Sequence, residues 1–328
     1  MTIRSTRRAA LAGLASFLVA PCVGRAAVSP LRELTLWGPP AGPSITVAHA
    51  AATGMLAEVA DKVTFKAWRN PDELRAGLTS GTLAASVMPT ASAANLFNRG
   101  LGVRLLNVMT DGLLHVIATD PTLDRIEKLR GKTIAIPFRN DTPEFALARL
   151  LKALDMVPGR DLTVETTGTP IEAIQMVASG RIDAALVPEP AASAAIVRAA
   201  AMGKTVVRAM DFQVEWARLT GNPPDLPQAG MAVTDAFLKA NPDHVERLHQ
   251  ALAKATAEVL AAPAKAAGSA ASVLELPWPV IEKAIPHSRL VCTRASTARA
   301  SLERLFTTVA EYQPSVIGGR LPDAGFYL

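Results

Sequence analysis

Two short loops carry the polar residues whose types and spacing suit ligand chemistry. The run Pro-Phe-Arg-Asn-Asp-Thr-Pro at 137–143 puts a guanidinium, an amide, a carboxylate and a hydroxyl on consecutive residues. Arg139 can clamp a carboxylate, sulfonate or phosphate through two parallel N–H bonds. Bonds of that kind are worth roughly 1.5–3 kcal/mol each when well formed. Asn140 can hydrogen-bond the same group, and Phe138 can stack on a ring or close over it. Asp141 and Thr142 can do likewise, or they can cap a following helix. The other loop, Gly-Pro-Pro-Ala-Gly-Pro-Ser at 38–44, offers Gly38, Pro39 and Ser44. Ser44 either caps a helix or donates to a ligand, and free N–H groups at a helix start attract anions. Thr90 presents the same choice, and Pro89 beside it is a further candidate for the wall of a ligand site. Glu189 follows an apolar run; it would meet an amine or another donor on a ligand, or else hold structure. Trp37, Trp68, Arg69 and Trp216 are secondary candidates. With Arg139 and Glu189 opposite in sign, a small organic acid, a zwitterion and a sulfonate all fit.

These loops need a frame, and the sequence supplies one written twice. Residues 62–94 and 161–193 share a grammar 99 positions apart. Asn70 and Thr169 are N-cap types, each followed by Pro (Pro71, Pro170) and then by Glu at the third helical position (Glu73, Glu172), the arrangement of a capping box. Gly81 and Gly180 stand where a helix needs a left-handed residue at its end. Apolar strands follow, stopped by Pro89 and Pro188. Upstream, 33–37 lies over 132–136 and the loop 38–44 over 137–143. Eight identities over 32–95 against 131–194 make this a structural repeat of low identity. Strands and helices alternate through both copies, the pattern of a parallel-type sheet with helices on its faces. In such sheets ligands meet the loops at the carboxyl ends of strands. The repeat therefore pairs 38–44 with 137–143 and 89–90 with 188–189 across a gap.

After the second copy, 211–228 reads as loop and 229–233 as a returning strand. The remainder reads as mainly helical: 243–260, a low-complexity connector or helix–helix turn at 261–272, and helices at 279–284 and 295–310. The N-terminus reads as a twin-arginine export signal over residues 1–27, with Arg7-Arg8 ahead of an apolar run at 11–20 that is too short to anchor in a bilayer. Without its four arginines the chain holds 30 basic and 29 acidic residues, a net charge of about +1. Its basicity is thus no argument for nucleic acid. Cys292 is the one cysteine left beyond the signal, and its expected role is that of a small apolar residue with no histidine beside it. The five histidines form no metal-ligand pattern. There is no phosphate loop of the Walker type and no Gly-Xaa-Ser-Xaa-Gly elbow. No cofactor is expected.

The stretches GKTIAIP (131–137), VASGRIDAALVPEP (177–190) and AVTDAFLKANPDHVERLHQAL (232–252) together resemble the periplasmic solute-binding proteins of ABC importers. The group most similar serves nitrate, sulfonates, taurine and thiamine precursors (NMT1/SsuA-like). The resemblance runs from about Leu31 to Ala310. It implies an α/β, type II periplasmic-binding fold: two α/β lobes with a hinge and an interlobe ligand cleft. One lobe would hold 32–118 and 229–328, the other 119–228, with crossings near 116–121 and 226–232. It further implies a monomer that closes on a small-molecule ligand and delivers it to permease and ATPase subunits. The alternatives are an enzyme on the same fold, of the desulfinase or pyrimidine-precursor synthase kind, or a ligand sensor.

Overall fold

The computed structural model describes residues 29–68, 71–139 and 141–328, and the side chain of Pro71 lies outside that description. The expected export signal, Arg69, Asn70 and Asn140 fall outside it as well. Eleven strands are described: β1 (Leu31–Gly38), β2 (Ala60–Ala67), β3 (Ala85–Pro89), β4 (Val103–Thr110), β5 (Leu114–Ala118), β6 (Thr133–Pro137), β7 (Thr163–Thr167), β8 (Ala184–Pro188), β9 (Val207–Asp211), β10 (Ala229–Thr234) and β11 (Leu290–Arg294). The helices are α1 (Gly42–Ala52), α2 (Pro71–Thr79), α3 (Thr90–Asn98), α4 (Thr142–Ala153), α5 (Pro170–Ser179), α6 (Ala191–Ala201), α7 (Phe212–Thr220), α8 (Asp235–Ala240), α9 (Pro242–Ala261), α10 (Pro263–Leu274), α11 (Trp278–Ala284) and α12 (Arg299–Tyr312).

The strands form two sheets, ordered β11-β4-β10-β3-β1-β2 and β7-β6-β8-β5-β9. The internal repeat is therefore real in three dimensions: β2-β1-β3 and β7-β6-β8 are the same parallel motif. Its register carries one correction to the gapless alignment. Thr35 pairs with Thr64 and Leu36 with Ala85, whereas Thr133 pairs with Thr163 and Ile134 with Ala184. The central strands are thus offset by 98 residues and their neighbours by 99, so the second copy holds one extra residue between β6 and β7.

Local chemistry explains why these segments stop and start where they do. In α5 the Thr169 hydroxyl accepts from Glu172 N, while the Glu172 carboxylate accepts from Gly168 N. Two free amides of the first turn region are satisfied by this exchange. Gly180 closes the helix at φ 73°, a conformation in which a Cβ is unfavourable.

Each lobe borrows a strand at the crossing. β5 comes directly after β4, yet it runs antiparallel to β8 and β9 in the second sheet. In return β10 runs antiparallel to β3 and β4 in the first. The chain thus leaves the first sheet at Thr110, and β5 is a strand of the second sheet. All five β5 residues are buried, a pattern that suits a central strand of either sheet. Three further segments differ from expectation. Residues 212–220 form α7, because the Asp211 carboxylate accepts from Gln213 N and Val214 N and starts a helix. The connector at 261–272 is mostly α10, whose buried Ala266, Ala267 and Ala270 allow close packing on α1. The expected C-terminal helix begins only at Arg299, after β11.

Apolar packing joins the halves. One cluster runs from Met88 and Leu105 through Phe145 and Leu150 to Leu302 and Phe306, so α12 bridges the lobes. Among the described residues no helix is long and apolar enough to cross a membrane.

Candidate functional site

The carboxyl ends of β3 and β8 meet the crossings between the sheets, where Thr90 N lies on Gln228 O and Glu189 N donates to Leu113 O. α1 begins after the Gly38–Ala41 turn. Its Ser44 is fully buried, and the Ser44 hydroxyl has no hydrogen-bond partner. A Cβ at Gly38 would sit 2.4 Å from that Oγ, so only glycine lets the serine approach the end of β1. In the other lobe, Thr142 opens α4; it is 3% exposed and its hydroxyl is likewise unpartnered. A buried hydroxyl without a partner costs about 1–3 kcal/mol. Two such groups at helix starts, one per lobe, are an unusual expense, because buried polar groups are nearly always paired.

The remaining predicted residues divide. Thr90 starts α3 but is engaged by the chain: its N–H donates to Gln228 O and its hydroxyl to Pro227 O at 2.7 Å. The Gln228 side-chain oxygen beside that link is buried without a partner. Pro89 ends β3 against Ala229. Phe138 stands at φ 63°, which costs a bulky residue about 1–2 kcal/mol. Phe138 is 37% exposed. Arg139 is exposed beside it and makes no hydrogen bond or ion pair among the described residues. Gly38 and Pro39 line the turn before α1, and Asn140 lies outside the described residues.

Glu189 is held by the chain itself, one of its two expected roles. It is fully buried; Oε1 accepts from Arg208 Nε at 2.6 Å and Oε2 from Ser193 N at 3.1 Å. The chain itself thus supplies the donors that a ligand amine was expected to bring. Burial nevertheless holds its carboxyl above the usual range, against the pull of Arg208. The pairing across the gap also differs. Gly42 N donates to Glu189 O at 3.2 Å, so the loop after β1 meets the loop after β8. Thr90 instead meets the returning crossing.

Sequence reasoning missed a belt of contacts between the lobes. His115 on β5 bonds through Nε2 to His287 O at 2.9 Å, with the two rings edge to face at 5.8 Å. Arg289, just before β11, pairs with Asp211 at 2.9 Å and donates to Pro224 O. Burial lowers His115 to about 4 and lowers His287 as well, so both are neutral at neutral pH. No local motif announces such pairs, since 172 residues separate the histidines.

Cys292 also needs correction. It lies on β11 rather than in a helix, and His249 of α9 is its neighbour: Sγ to Nδ1 is 3.7 Å, with Asn107 Nδ2 3.3 Å from the sulfur and 3.2 Å from the ring nitrogen. Burial pushes the thiol up to about 12, so it stays protonated at neutral pH. Trp68 donates to Ser86 Oγ and Val87 O, and Trp216 is core; Trp37 Nε1 is buried without a partner. No group of three or more metal-ligating side chains is found among the described residues.

Comparison with known proteins agrees with the two-lobed geometry. The NMT1-like family matches residues 41–274, and the chain belongs to that family. Among solved structures, an ABC transporter protein from Parabacteroides distasonis is similar at 20% identity and TM-score 0.74, covering 91% of this chain and 98% of the other. The alkanesulfonate-binding protein SsuA of Xanthomonas axonopodis pv. citri, bound to MOPS, is similar at 16% identity and TM-score 0.64, covering 91% and 97%. The periplasmic aliphatic sulphonate binding protein SsuA of Escherichia coli is similar at 15% identity and TM-score 0.67, covering 89% and 92%. At such identities the likeness shows the shared fold. No curated protein matches the chain.

Proposed function

We propose that this chain is the extracytoplasmic solute-binding component of an ABC-type importer. Exported to the periplasm by the twin-arginine-type signal at 1–27, it holds a small polar organic solute between its lobes and passes it unchanged to a permease and its ATPase. The observation that carries this reading is the pair of buried, unpartnered hydroxyls, Ser44 and Thr142, at helix starts of opposite lobes. A solute oxygen between them would supply the missing partners, and Arg139 on the rim would take an anionic group. Gly38, Pro39, Pro89, Thr90, Phe138 and Asn140 would complete the wall. The protein would act as a monomer and without a cofactor. The solved relatives, an ABC transporter protein and two sulfonate-binding proteins, support the same reading.

The Cys292–His249 pair favours an enzyme as the second reading. It stands second because a thiol held near 12 is a poor nucleophile at neutral pH. A thermal-shift screen of small organic acids, amino acids and sulfonates tests the first. A true ligand at a hundredfold excess over its Kd stabilises by about 2.7 kcal/mol. No shift with any class, together with turnover that Cys292→Ser abolishes, would put the enzyme reading first.

A further inference from the structure

Three consecutive carbonyls just before β11 grip the first crossing. His287 O accepts from His115 Nε2 at 2.9 Å, Ser288 O from the Thr110 hydroxyl at 2.7 Å, and Arg289 O from Asp111 N at 3.0 Å. The segment is thereby pinned to the chain where it leaves the first sheet for the second. Arg289 stands there at φ 39°, in the left-handed region that a Cβ makes unfavourable. Glycine would take that turn freely. Strain of this kind persists only where the surroundings fix it, and it gathers at clamps and switches.

The guanidinium held by this strained residue reaches across to the second sheet. Its Nη2 donates to Oδ2 of Asp211, the last residue of β9, at 2.9 Å, and its Nη1 to Pro224 O on the second crossing at 3.0 Å. Asp211 divides its carboxylate. Oδ1 caps α7 by accepting from Gln213 N and Val214 N, and Oδ2 is given to Arg289. Capping alone needs one oxygen, which Asn or Ser supplies. Burial pushes the Asp211 carboxyl up, but the bond and charge of Arg289 lead the opposing pull and leave it below the usual range. The pair differs from Glu189 and Arg208, which lie within the second-sheet half with the carboxylate fully enclosed, a bond too costly to break. Arg289 and Asp211 keep 30% and 35% of their side chains exposed, so water takes up both charges when they part. Resting on the solute-binding reading above, we propose that Arg289 is a positioning residue for solute capture: its bond to Asp211 latches the two lobes together, and opening for solute entry and exit breaks it.

Lobe separation measured without any solute tests this. Ala76 on α2 and Gln175 on α5 are exposed and hold equivalent places in the two copies of the repeat. Spin labels on Ala76→Cys and Gln175→Cys, in a mature chain carrying Cys292→Ser, report their separation by pulsed electron resonance. The latch predicts chiefly one short separation. Molar sodium chloride screens a pair this exposed and should raise the population at longer separation by about threefold or more. Arg289→Met and Asp211→Asn, the latter keeping a good cap, should each do the same. The double variant should go no further than either, because both remove one bond, and Arg289→Lys should restore part of the short separation. A role in folding alone would lower the urea midpoint and leave the separation where it was; that result overturns the proposal. So does a labelled chain with Arg289 and Asp211 intact whose separation is already long, or is indifferent to salt. Lobes that part in the variants while no solute shifts the melting point keep the latch and defeat the solute-binding reading. A solute that binds while the labels never move does the reverse.

Discussion

Replacing Arg208 by methionine should damage stability more than any change at the exposed Phe138 or Arg139. Arg208 reaches Glu189 and also donates to Ser193 Oγ. Its side chain is 16% exposed, and that of Glu189 is fully enclosed. Removing one member of such a pair leaves an uncompensated charge in a place water cannot reach, at a cost of about 3–5 kcal/mol. Glu189→Gln should cost less, about 1–3 kcal/mol, because Arg208 keeps some solvent. The double variant should recover part of the loss, since the two changes share one interaction. Urea unfolding followed by circular dichroism measures all three. The pH dependence supplies a second check. Glu189 already binds its proton more tightly folded than unfolded, and loss of Arg208 moves it further that way. A carboxyl shifted upward on folding favours the folded state as pH falls, so the deficit of Arg208→Met should shrink toward pH 4.5. A deficit under about 1 kcal/mol at pH 7.5, or one that grows on acidification, would refute the reasoning.

Other expectations can be checked with the same material. His115 is a base held near 4 in the fold, so its contribution is complete above pH 6.5 and is lost as pH falls toward 4, by up to about 3 kcal/mol; His115→Gln should flatten the acid limb of thermal melts, where Asp211, Arg208, His287 and Lys283 are the charged neighbours of this pair. Phe138→Gly should raise stability by about 1 kcal/mol in chemical denaturation by releasing a positive φ, and an unchanged midpoint would show the turn to be unstrained. Cys292 should react slowly with iodoacetamide at pH 8 in the folded protein and quickly in urea, because burial keeps the thiol protonated; equal rates would contradict its placement.

The lobes were legible because their signals are local. Pro170, Glu172 and Gly180 fix α5 within ten residues, and the same grammar repeated at a near-constant spacing exposes the second lobe. What escaped is long-range. β5 is apolar throughout, so nothing within it says which sheet it joins; pairing with β8 and β9 decides that. The segment of α7 reads as loop because the capping role of Asp211 shows only once Gln213 and Val214 turn back onto it. Glu189 reads equally as a cleft carboxylate or as a structural one, because its partner Arg208 lies on β9, across β5, and leaves no local signal. Cys292 and His249 are 43 residues apart and meet only because α9 packs on β11. The site itself was half visible. Ser44 and Thr142 stand out in sequence as helix-start hydroxyls, but that both are buried without partners is a property of the packed structure alone.

The most direct test of the account is native mass spectrometry of the mature chain after incubation with a defined mixture of small acids, amino acids and sulfonates. The account predicts a single one-to-one adduct whose solute is released on denaturation with its mass unchanged, and which is lost when Ser44→Ala and Thr142→Val are combined. An adduct indifferent to that double change, or a solute recovered with an altered mass, would contradict it.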